Sequence, residues 1–336
     1  MKYVYIIGLV FCILSCDRKS SEIEIDSVPV RKVENVQLER IDTLNPMGLF
    51  CFDKYVYLVS PQAHIGRSPY CVFDDSLRFV AHAGAWGRAA NEVLEVNPYY
   101  VYKKSDAFVQ CVNGYFQADV VFDGNNARFL HREKISNHNM NNLCQVSDGN
   151  VIFEDEMFEK EWVLYDVKNK KELLRFGDFP NEDTQLDFYG KYISEDEKPA
   201  FYAKAVACDT LSGDIYTLYS NIPLVKVYNK ETQEVASFGI RTREIPKDEF
   251  IRAYEDGVNP VYYNMARPYR DGVVALYHGV SFPKPYSEFH IWTKAGLSLR
   301  YSVGMWVVNF DVCGDSIYGL CLFDDCLCLF KAKFDL

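Results

Sequence analysis

The segment Tyr228–Gly239, with the sequence YNKETQEVASFG, carries a pattern that recurs along this chain. An aromatic residue is followed by a turn-forming Asn, a polar stretch, an apolar run and a glycine. The side chain of Asn or Asp accepts a hydrogen bond from the backbone two residues ahead and so starts a tight turn. The pattern therefore predicts a β-hairpin, whose closing glycine supplies a positive φ angle where the chain leaves the sheet.

Copies of this hairpin pattern, and of a second pattern between them, divide the chain into units. The other hairpin copies are Phe73–Gly84, Tyr165–Gly177 and Trp292–Gly304, together with a fifth copy from Phe122 that lacks the glycine. The second pattern is a polar turn before a short apolar strand, and its six copies are Asp53–Tyr57, Asn113–Phe116, Asp148–Phe153, Ser212–Tyr216, Arg270–Val274 and Gly314–Tyr318. Two hairpin signals in each unit indicate a sheet of four strands.

The number and spacing of the units predict the fold. The six copies of the second pattern lie roughly 50 residues apart. A small sheet cannot bury both faces alone, so neighbouring sheets stack and close a ring. We therefore expect an all-β fold, a six-bladed β-propeller of four-stranded antiparallel blades, with a pair of β-sandwiches or a solenoid as the alternatives. Residues 33–44 are expected to supply the missing strand of the last blade, which removes its free edge.

The first residues have the features of an export signal. Met1–Tyr3 carries one positive charge, and the apolar run Val4–Leu14 is shorter than the about 20 residues that span a bilayer. The segment Ile13–Cys16 resembles a bacterial lipobox, in which the cysteine after the cleavage site becomes lipidated. An ordinary signal peptide with a chance cysteine is the alternative interpretation.

Lipidation of Cys16 divides the chain into three segments. They are a lipoprotein signal peptide over 1–15, a lipidated tether over 16–30 and the propeller over 31–336. Several acyl chains on one cysteine give lasting membrane attachment. We therefore expect an exported protein that is anchored to the bacterial cell envelope, at the outer membrane.

The composition excludes two broad classes of protein. Hydrophobic residues make up 49% and charged residues 25%, which excludes bulk disorder. The net charge of −11 and the pI of about 5.1 argue against a general nucleic-acid binder, which needs a basic surface. Aromatic residues make up 15%, a bias that fits strands better than helices.

The run Ala83–Val93 resembles a motif of the TolB-like six-bladed propeller lipoproteins of Bacteroidetes, approximately F-G-x-x-G-x-G-P-x-E-F. Gly84, Gly87 and Glu92 match it in register, whereas Ala89–Ala90 replaces the Gly-Pro of the family. The lipobox, the length and the six units agree with this resemblance across nearly the whole mature chain. The resemblance implies a fold and a location, but no reaction.

The same run contains the candidate ligand-binding loop, formed by Trp86, Arg88, Asn91 and Glu92. In a functional interpretation, Trp86 stacks on a ligand and Arg88 pairs with an acidic group. In the structural interpretation, which we favour, the loop is a crossover between blades and Glu92 holds backbone amides. Two tyrosine-rich stretches, 97–102 and 259–264, are further candidates for ligand contact, although packing between blades is their commoner use.

The sequence shows no catalytic signature. It contains neither a G-x-S-x-G elbow nor an H-E-x-x-H motif. Nine cysteines follow the leader, and a turn at Asp324–Asp325 is expected to place Cys321 opposite Cys328. Export permits a disulfide there, whereas a zinc site is disfavoured because no histidine lies near these cysteines in the sequence.

We therefore expect a non-catalytic binding module for an envelope protein or a glycan, with unknown catalytic residues, no cofactor, no metal and no nucleic-acid partner. The alternative is a metal-dependent, lactonase-like hydrolase, because a propeller can gather metal ligands from several blades at its axis. A structural subunit of an envelope complex is a third interpretation. Fold analogy alone does not choose between these functions.

Overall fold

A computed structural model of the protein describes residues 19–41, 46, 48–52, 54–59, 68–87, 92, 107–111, 114–123, 126–136, 140, 142–147, 149–180, 202–241, 261–279 and 287–334. The N-terminal segment contains β1 (Lys19–Glu24), a 3-10 turn (Ile25–Ser27), β2 (Val30–Lys32) and β3 (Gln37–Arg40). The strands that follow form five sheets, which we number in chain order.

Sheets 1 and 2 are built from the first half of the chain. Sheet 1 contains β4 (Gly48–Phe52), β5 (Tyr55–Val59), β6 (Tyr70–Phe73), β7 (Phe79–Ala83), β8 (Ala107–Cys111), β9 (Gly114–Asp123) and β10 (Asn126–Ser136). Sheet 2 contains β11 (Cys144–Ser147), β12 (Asn150–Glu154), β13 (Trp162–Asp166) and β14 (Lys171–Phe176).

Sheets 3, 4 and 5 are built from the second half. Sheet 3 contains β15 (Lys204–Cys208), β16 (Ile215–Tyr219), β17 (Leu224–Tyr228) and β18 (Glu234–Arg241). Sheet 4 contains β19 (Val261–Tyr269), β20 (Gly272–Gly279), β21 (Glu288–Thr293) and β22 (Gly296–Ser302). Sheet 5 contains β23 (Trp306–Cys313), β24 (Ser316–Phe323) and β25 (Cys326–Lys333). Within sheets 2 to 5, strands that follow one another along the chain pair antiparallel.

The sheets are arranged as a β-propeller. The first strand of each sheet contacts the first strand of a neighbour, in the order β11, β15, β19, β23 and β4. Both ends of the chain contribute to sheet 5, because β3 pairs antiparallel with β25. The protein is thus an all-β propeller of small antiparallel sheets, and the expectation that residues 33–44 complete the last blade is confirmed over Gln37–Arg40.

The described residues form five sheets rather than the expected six blades. The unit β8–β10 was expected to be a separate blade, but β10 pairs in parallel with β7 at His82 and Ala83. This unit has three strands rather than four. It also contains the hairpin copy from Phe122 that lacks the closing glycine. The free edge of β10 pairs with the free edge of β7, so the two units merge into one seven-stranded sheet.

The predicted turn chemistry is confirmed in the hairpins between the third and fourth strands. Asp74 Oδ1 accepts hydrogen bonds from the backbone N–H groups of Ser76 and Arg78, both at 2.9 Å. Asn229 Oδ1 accepts from Glu231 and Gln233 at 3.1 and 2.9 Å. A side chain that satisfies two backbone donors fixes where each hairpin turns.

The closing glycines divide into two groups. Gly84, Gly177 and Gly304 have φ angles of 74°, 80° and 72°, as the hairpin pattern predicts. Gly239 differs because it lies inside β18, which continues to Arg241 alongside β1. The additional strand keeps the backbone extended where the other copies leave the sheet.

The N-terminal residues 19–40, which we call the strap, lie along the outer edges of three consecutive sheets. β1 pairs in parallel with β18, β2 pairs in parallel with β22, and β3 pairs with β25. Residues 19–24, which the sequence placed in the tether, therefore form a strand of sheet 3. The strap covers edges that would otherwise offer unpaired backbone groups.

Arg300 fastens the strap to sheet 4. This buried guanidinium donates from Nε and Nη2 to Glu288 Oε2 at 2.9 and 2.7 Å. It also donates from Nη1 to the carbonyl oxygens of Ile25 and Val28, both at 2.8 Å. Glu288 Oε2 lies 3.0 Å from His290 Nε2, so the carboxylate is held from two sides.

The C-terminal hairpin has the predicted register. Asp324 and Asp325 both have positive φ angles, as a two-residue hairpin turn requires, and Cys321 lies opposite Cys328. Both cysteine side chains are buried, and no disulfide joins them. Burial raises the pKa of Cys321 to about 12, which keeps the thiol protonated at neutral pH.

Candidate functional site

Two bulges mark the first strands of sheets 4 and 5. The shift of register in β19 leaves Asn264 without a partner across the ladder, and the shift in β23 does the same for Val308. Both side chains are exposed, although the residues on either side of them are buried. A bulge re-aims a side chain and is frequent beside functional sites.

A cavity of about 30 Å³ opens beside Asn264, between β15, β19 and the residues that precede β11. Its lining is Asn142, Leu143, Ala205, Val206, Asn264, Met265, Ala266 and Arg267. This volume holds one or two groups of the size of a water molecule. Two asparagines and an arginine therefore border a small space beside the first strands of neighbouring sheets.

His278 contacts the Asn264 amide, and Trp306 packs against His278. Asn264 Nδ2 donates to His278 Nε2 at 3.0 Å, and the indole of Trp306 lies 4.6 Å from the imidazole, centroid to centroid. Burial lowers the pKa of His278 to about 4, so the ring is neutral at pH 7. We call Asn142, Asn264, Arg267, His278 and Trp306 the axial site.

The contacts of His278 argue against nucleophilic chemistry at Ser287. With Nε2 accepting from Asn264, the ring proton is on Nδ1, which donates to Ser287 Oγ at 3.3 Å. Ser287 Oγ accepts from the backbone N–H of Val307 at 3.0 Å and donates to the carbonyl of the same residue at 3.4 Å. A catalytic serine donates its proton to the histidine, and here the direction is reversed.

Other polar residues near the axis hold the last sheet to the first. Asp311 Oδ2 accepts from the backbone N–H of Cys51 at 2.7 Å, and Asn309 Oδ1 accepts from Leu49 at 3.3 Å. Asp311 also lies 3.2 Å from Arg267 Nε. The side chains of Asn309 and Asp311 point to the same side of β23, because side chains alternate along a strand. Both serve the junction where the ring closes.

The remaining junctions use similar hydrogen bonds. Asn142 Nδ2 donates to the carbonyl of Lys204 at 2.8 Å, which joins sheets 2 and 3. Ser220 Oγ donates to the carbonyl of Tyr263 at 2.6 Å, which joins sheets 3 and 4. Polar groups in the described part of the axis are thus largely committed to holding neighbouring sheets together.

A buried charge cluster lies between sheets 2 and 3. Glu161 Oε1 is 3.1 Å from Lys226 Nζ, and Glu161 Oε2 accepts from Tyr228 Oη at 2.6 Å. Burial raises the pKa of Glu161. A perturbed carboxyl group in a cleft is a functional candidate, but Glu161 has 0% exposure and no substrate can reach it. Its contacts indicate a structural role.

The structure describes two of the four residues of the candidate ligand-binding loop. Trp86 is half-buried and packs against the core of sheet 1. The carboxylate of Glu92 lies against the Cα of Gly87 and leaves no room there for a side chain. Arg88 and Asn91 lie outside the described residues, as does Cys16.

Two other predictions concern metals and tyrosines. Among the residues that the structure describes, no group of three or more His, Cys, Asp or Glu side chains lies close enough to share a metal ion. Tyr262 and Tyr263, from the second tyrosine-rich stretch, are buried between sheets. The stretch 97–102 is outside the described residues.

Sequence reasoning did not identify the axial site. Asn264, His278 and Trp306 lie on three different strands, and Asn142 lies in the turn before β11. Their spacing in the chain forms no motif. The single local hint was Asn264 at the end of a tyrosine-rich stretch.

Comparisons with known proteins agree with the fold. The chain is similar to a protein of Bacteroides fragilis described as exported, with 11% identity, a TM-score of 0.51 and coverage of 95% of this chain and 99% of the other. It is also similar to a member of the DUF4221 family from Bacteroides vulgatus, with 9% identity, a TM-score of 0.55 and coverage of 90% and 97%. At these identities the likeness shows the fold alone.

Sequence comparisons add no family. No protein-family model matches the chain, and no curated protein matches it. Within the described residues, no helix has the length and apolar character that crossing a membrane requires. The fold defines the class of protein, an all-β propeller.

Proposed function

We propose that this protein is an exported lipoprotein, anchored through Cys16 to the outer membrane, that binds a protein or glycan ligand and catalyses no reaction. In this proposal the propeller is TolB-like, and two of its six sequence units are merged in sheet 1. The candidate loop of Trp86, Arg88, Asn91 and Glu92 stays a second contact region. The ligand class that the axial site favours is a glycan.

One observation carries this proposal: the exposed Asn264 borders the small cavity and donates to His278, and the half-buried indole of Trp306 packs against His278. The exposed amide of Asn264 suits the hydroxyl groups of a sugar, and an aromatic ring suits its apolar face. The neighbouring acids are committed to sheet junctions, and His278 is neutral and donates to Ser287. The site therefore offers recognition without an activated nucleophile or base.

Binding to a panel of purified oligosaccharides tests the proposal, with the chain of residues 17–336 as the probe protein. We expect Asn264→Ala and Trp306→Ala each to weaken glycan binding at least about tenfold, since each removes a central contact. Lys230→Ala, an exposed substitution on a distant turn, is the control and should bind as the unaltered chain does. Failure to bind any glycan, or equal binding by all variants, would contradict a glycan site at the axis.

Metal content distinguishes the alternative function. Mass spectrometry of residues 17–336, purified without chelator and also after incubation with calcium, measures bound divalent ions. A stoichiometric ion would favour the metal-dependent hydrolase, and lactones and esters would then be the substrates to test. An ion-free chain that binds glycans supports the binding module.

A further inference from the structure

The position of β1 limits where a lipid on Cys16 can reach. Lys19 pairs with Ala236, three residues after Gln233, where the turn between β17 and β18 closes. Cys16 precedes Lys19 by three residues, and three residues of extended chain span about 11 Å at most. A lipid on Cys16 is therefore confined to the surroundings of this turn.

A neighbouring turn carries an exposed apolar side chain. Leu211, in the turn between β15 and β16, is 77% exposed, more than any other large apolar side chain in the described chain. The two turns touch, since a Cβ on Gly213 would lie 3.2 Å from Lys230 Cβ. Leu211 therefore lies at the same end of sheet 3 at which β1 begins.

We infer that the turns Asp209–Asp214 and Asn229–Gln233 form a membrane-facing patch, which holds this edge of the propeller against the lipid surface with Leu211 among the headgroups. This inference rests on the proposed lipid anchor at Cys16. The short linker keeps the patch at the bilayer, and Leu211 gains by leaving water. The strap transmits the restraint because β1 is a paired strand of sheet 3 and Arg300 holds the residues that follow it.

This orientation directs the axial site away from the membrane. Ser220 follows β16 at the opposite end of sheet 3 from both turns, and its side chain bonds to the carbonyl of Tyr263, the neighbour of Asn264. The exposed amide is thus on the side of the ring that faces away from the bilayer. A ligand outside the membrane has free access to it.

Photo-cross-linking to lipid tests the orientation. The full lipoprotein is placed in vesicles of phosphatidylethanolamine and phosphatidylglycerol, with p-benzoylphenylalanine replacing either Leu211 or Met157. Met157 is the matched control, because it is 69% exposed but lies in the turn between β12 and β13, at the opposite end of its sheet. We expect at least about fivefold more protein–lipid adduct from position 211 than from position 157.

A second variant tests the role of the short linker. Insertion of a flexible Gly-Ser segment of about 12 residues between Arg18 and Lys19 frees the propeller from the bilayer. The preference for position 211 should then fall to near unity. Unchanged preference after the insertion would overturn the linker as its cause.

Intact mass and flotation with vesicles separate this inference from the anchor itself. A lipidated chain that floats and cross-links equally from both positions overturns the orientation and leaves the anchor standing. A chain that lacks the lipid mass and does not float overturns the anchor, and the orientation falls with it. Lipid mass, flotation and selective adduct formation at 211 together support both.

Discussion

Replacing Arg300 by Met tests how the strap is held to the propeller. The substitution removes four hydrogen bonds, two to Glu288 and two to strap carbonyls. Glu288 is only 2% exposed, so its carboxylate would stay buried without the guanidinium. Breaking a buried ion pair from one side costs about 3–5 kcal/mol. Ile25 O still accepts from the backbone N–H of Val28, so the strap itself adds only about 1 kcal/mol.

We therefore expect Arg300→Met to lower the free energy of unfolding by about 5 kcal/mol, a large part of the about 5–15 kcal/mol of a typical domain. Guanidinium chloride unfolding at pH 7 measures this loss. Hydrogen exchange of the backbone amides of β1 and β2 should also become faster, because Arg300 no longer holds the strap to sheet 4.

Two variants make the reasoning refutable. Arg241 pairs with Glu22 of the strap at the surface, where both side chains are more than half exposed, so Arg241→Met should cost less than about 1 kcal/mol. The double variant Arg300→Met, Glu288→Gln removes the uncompensated charge and should regain about 2 kcal/mol. Two results would refute the argument that the buried Arg300–Glu288 pair holds the strap. One is a loss of less than about 1 kcal/mol in the free energy of unfolding of Arg300→Met, and the other is a double variant that is no more stable than Arg300→Met.

Three further predictions concern pH, the hairpin glycines and ring closure. The pKa of His278 is lowered to about 4 in the folded protein, against an ordinary value of 6.5. The free energy of unfolding should therefore be highest above pH 6.5 and fall by about 3 kcal/mol as the pH approaches 4. Urea unfolding across this pH range measures the fall, and His278→Gln should remove this pH dependence. Gly177→Ala should lower the melting temperature more than Gly304→Ala, because the added Cβ at Gly177 meets Glu161 Oε2 at 2.8 Å whereas the space around Gly304 is open. Both glycines have positive φ angles, so equal decreases would show that backbone strain alone accounts for the effect. Deleting residues 30–45 removes β2 and β3 and should lower the melting temperature by at least about 10 °C, and an unchanged melting temperature would show that the ring closes without them.

The hairpins could be predicted because their causes are local. Asp74 and Asn229 bond to backbone groups no more than four residues away, and the alternation of apolar residues beside them fixes which face of a strand is buried. The register of Cys321 opposite Cys328 follows from a two-residue turn in the same way. Each of these features is specified within about a dozen residues of sequence.

The number of sheets and the axial site could not be predicted, because they depend on which strand edges meet. The pairing of β10 with β7 merges two sequence units, and the pairing of β1 with β18 converts expected tether into sheet. The candidate loop was found from its motif, yet Asn264, His278 and Trp306 form no motif, since they approach one another only when strands from two sheets are packed.

The sequence alone therefore determined the strands, their turns and the propeller class, through contacts between residues close together in the chain. The tertiary structure decided the strap, the merged sheet and the axial site, through hydrogen bonds between residues far apart in the chain, such as Arg300 with Val28 and Asp311 with Cys51. Every strand at a sheet edge presents the same backbone donors and acceptors, so the local sequence does not determine which strand pairs with that edge. Packing of the whole chain makes that choice.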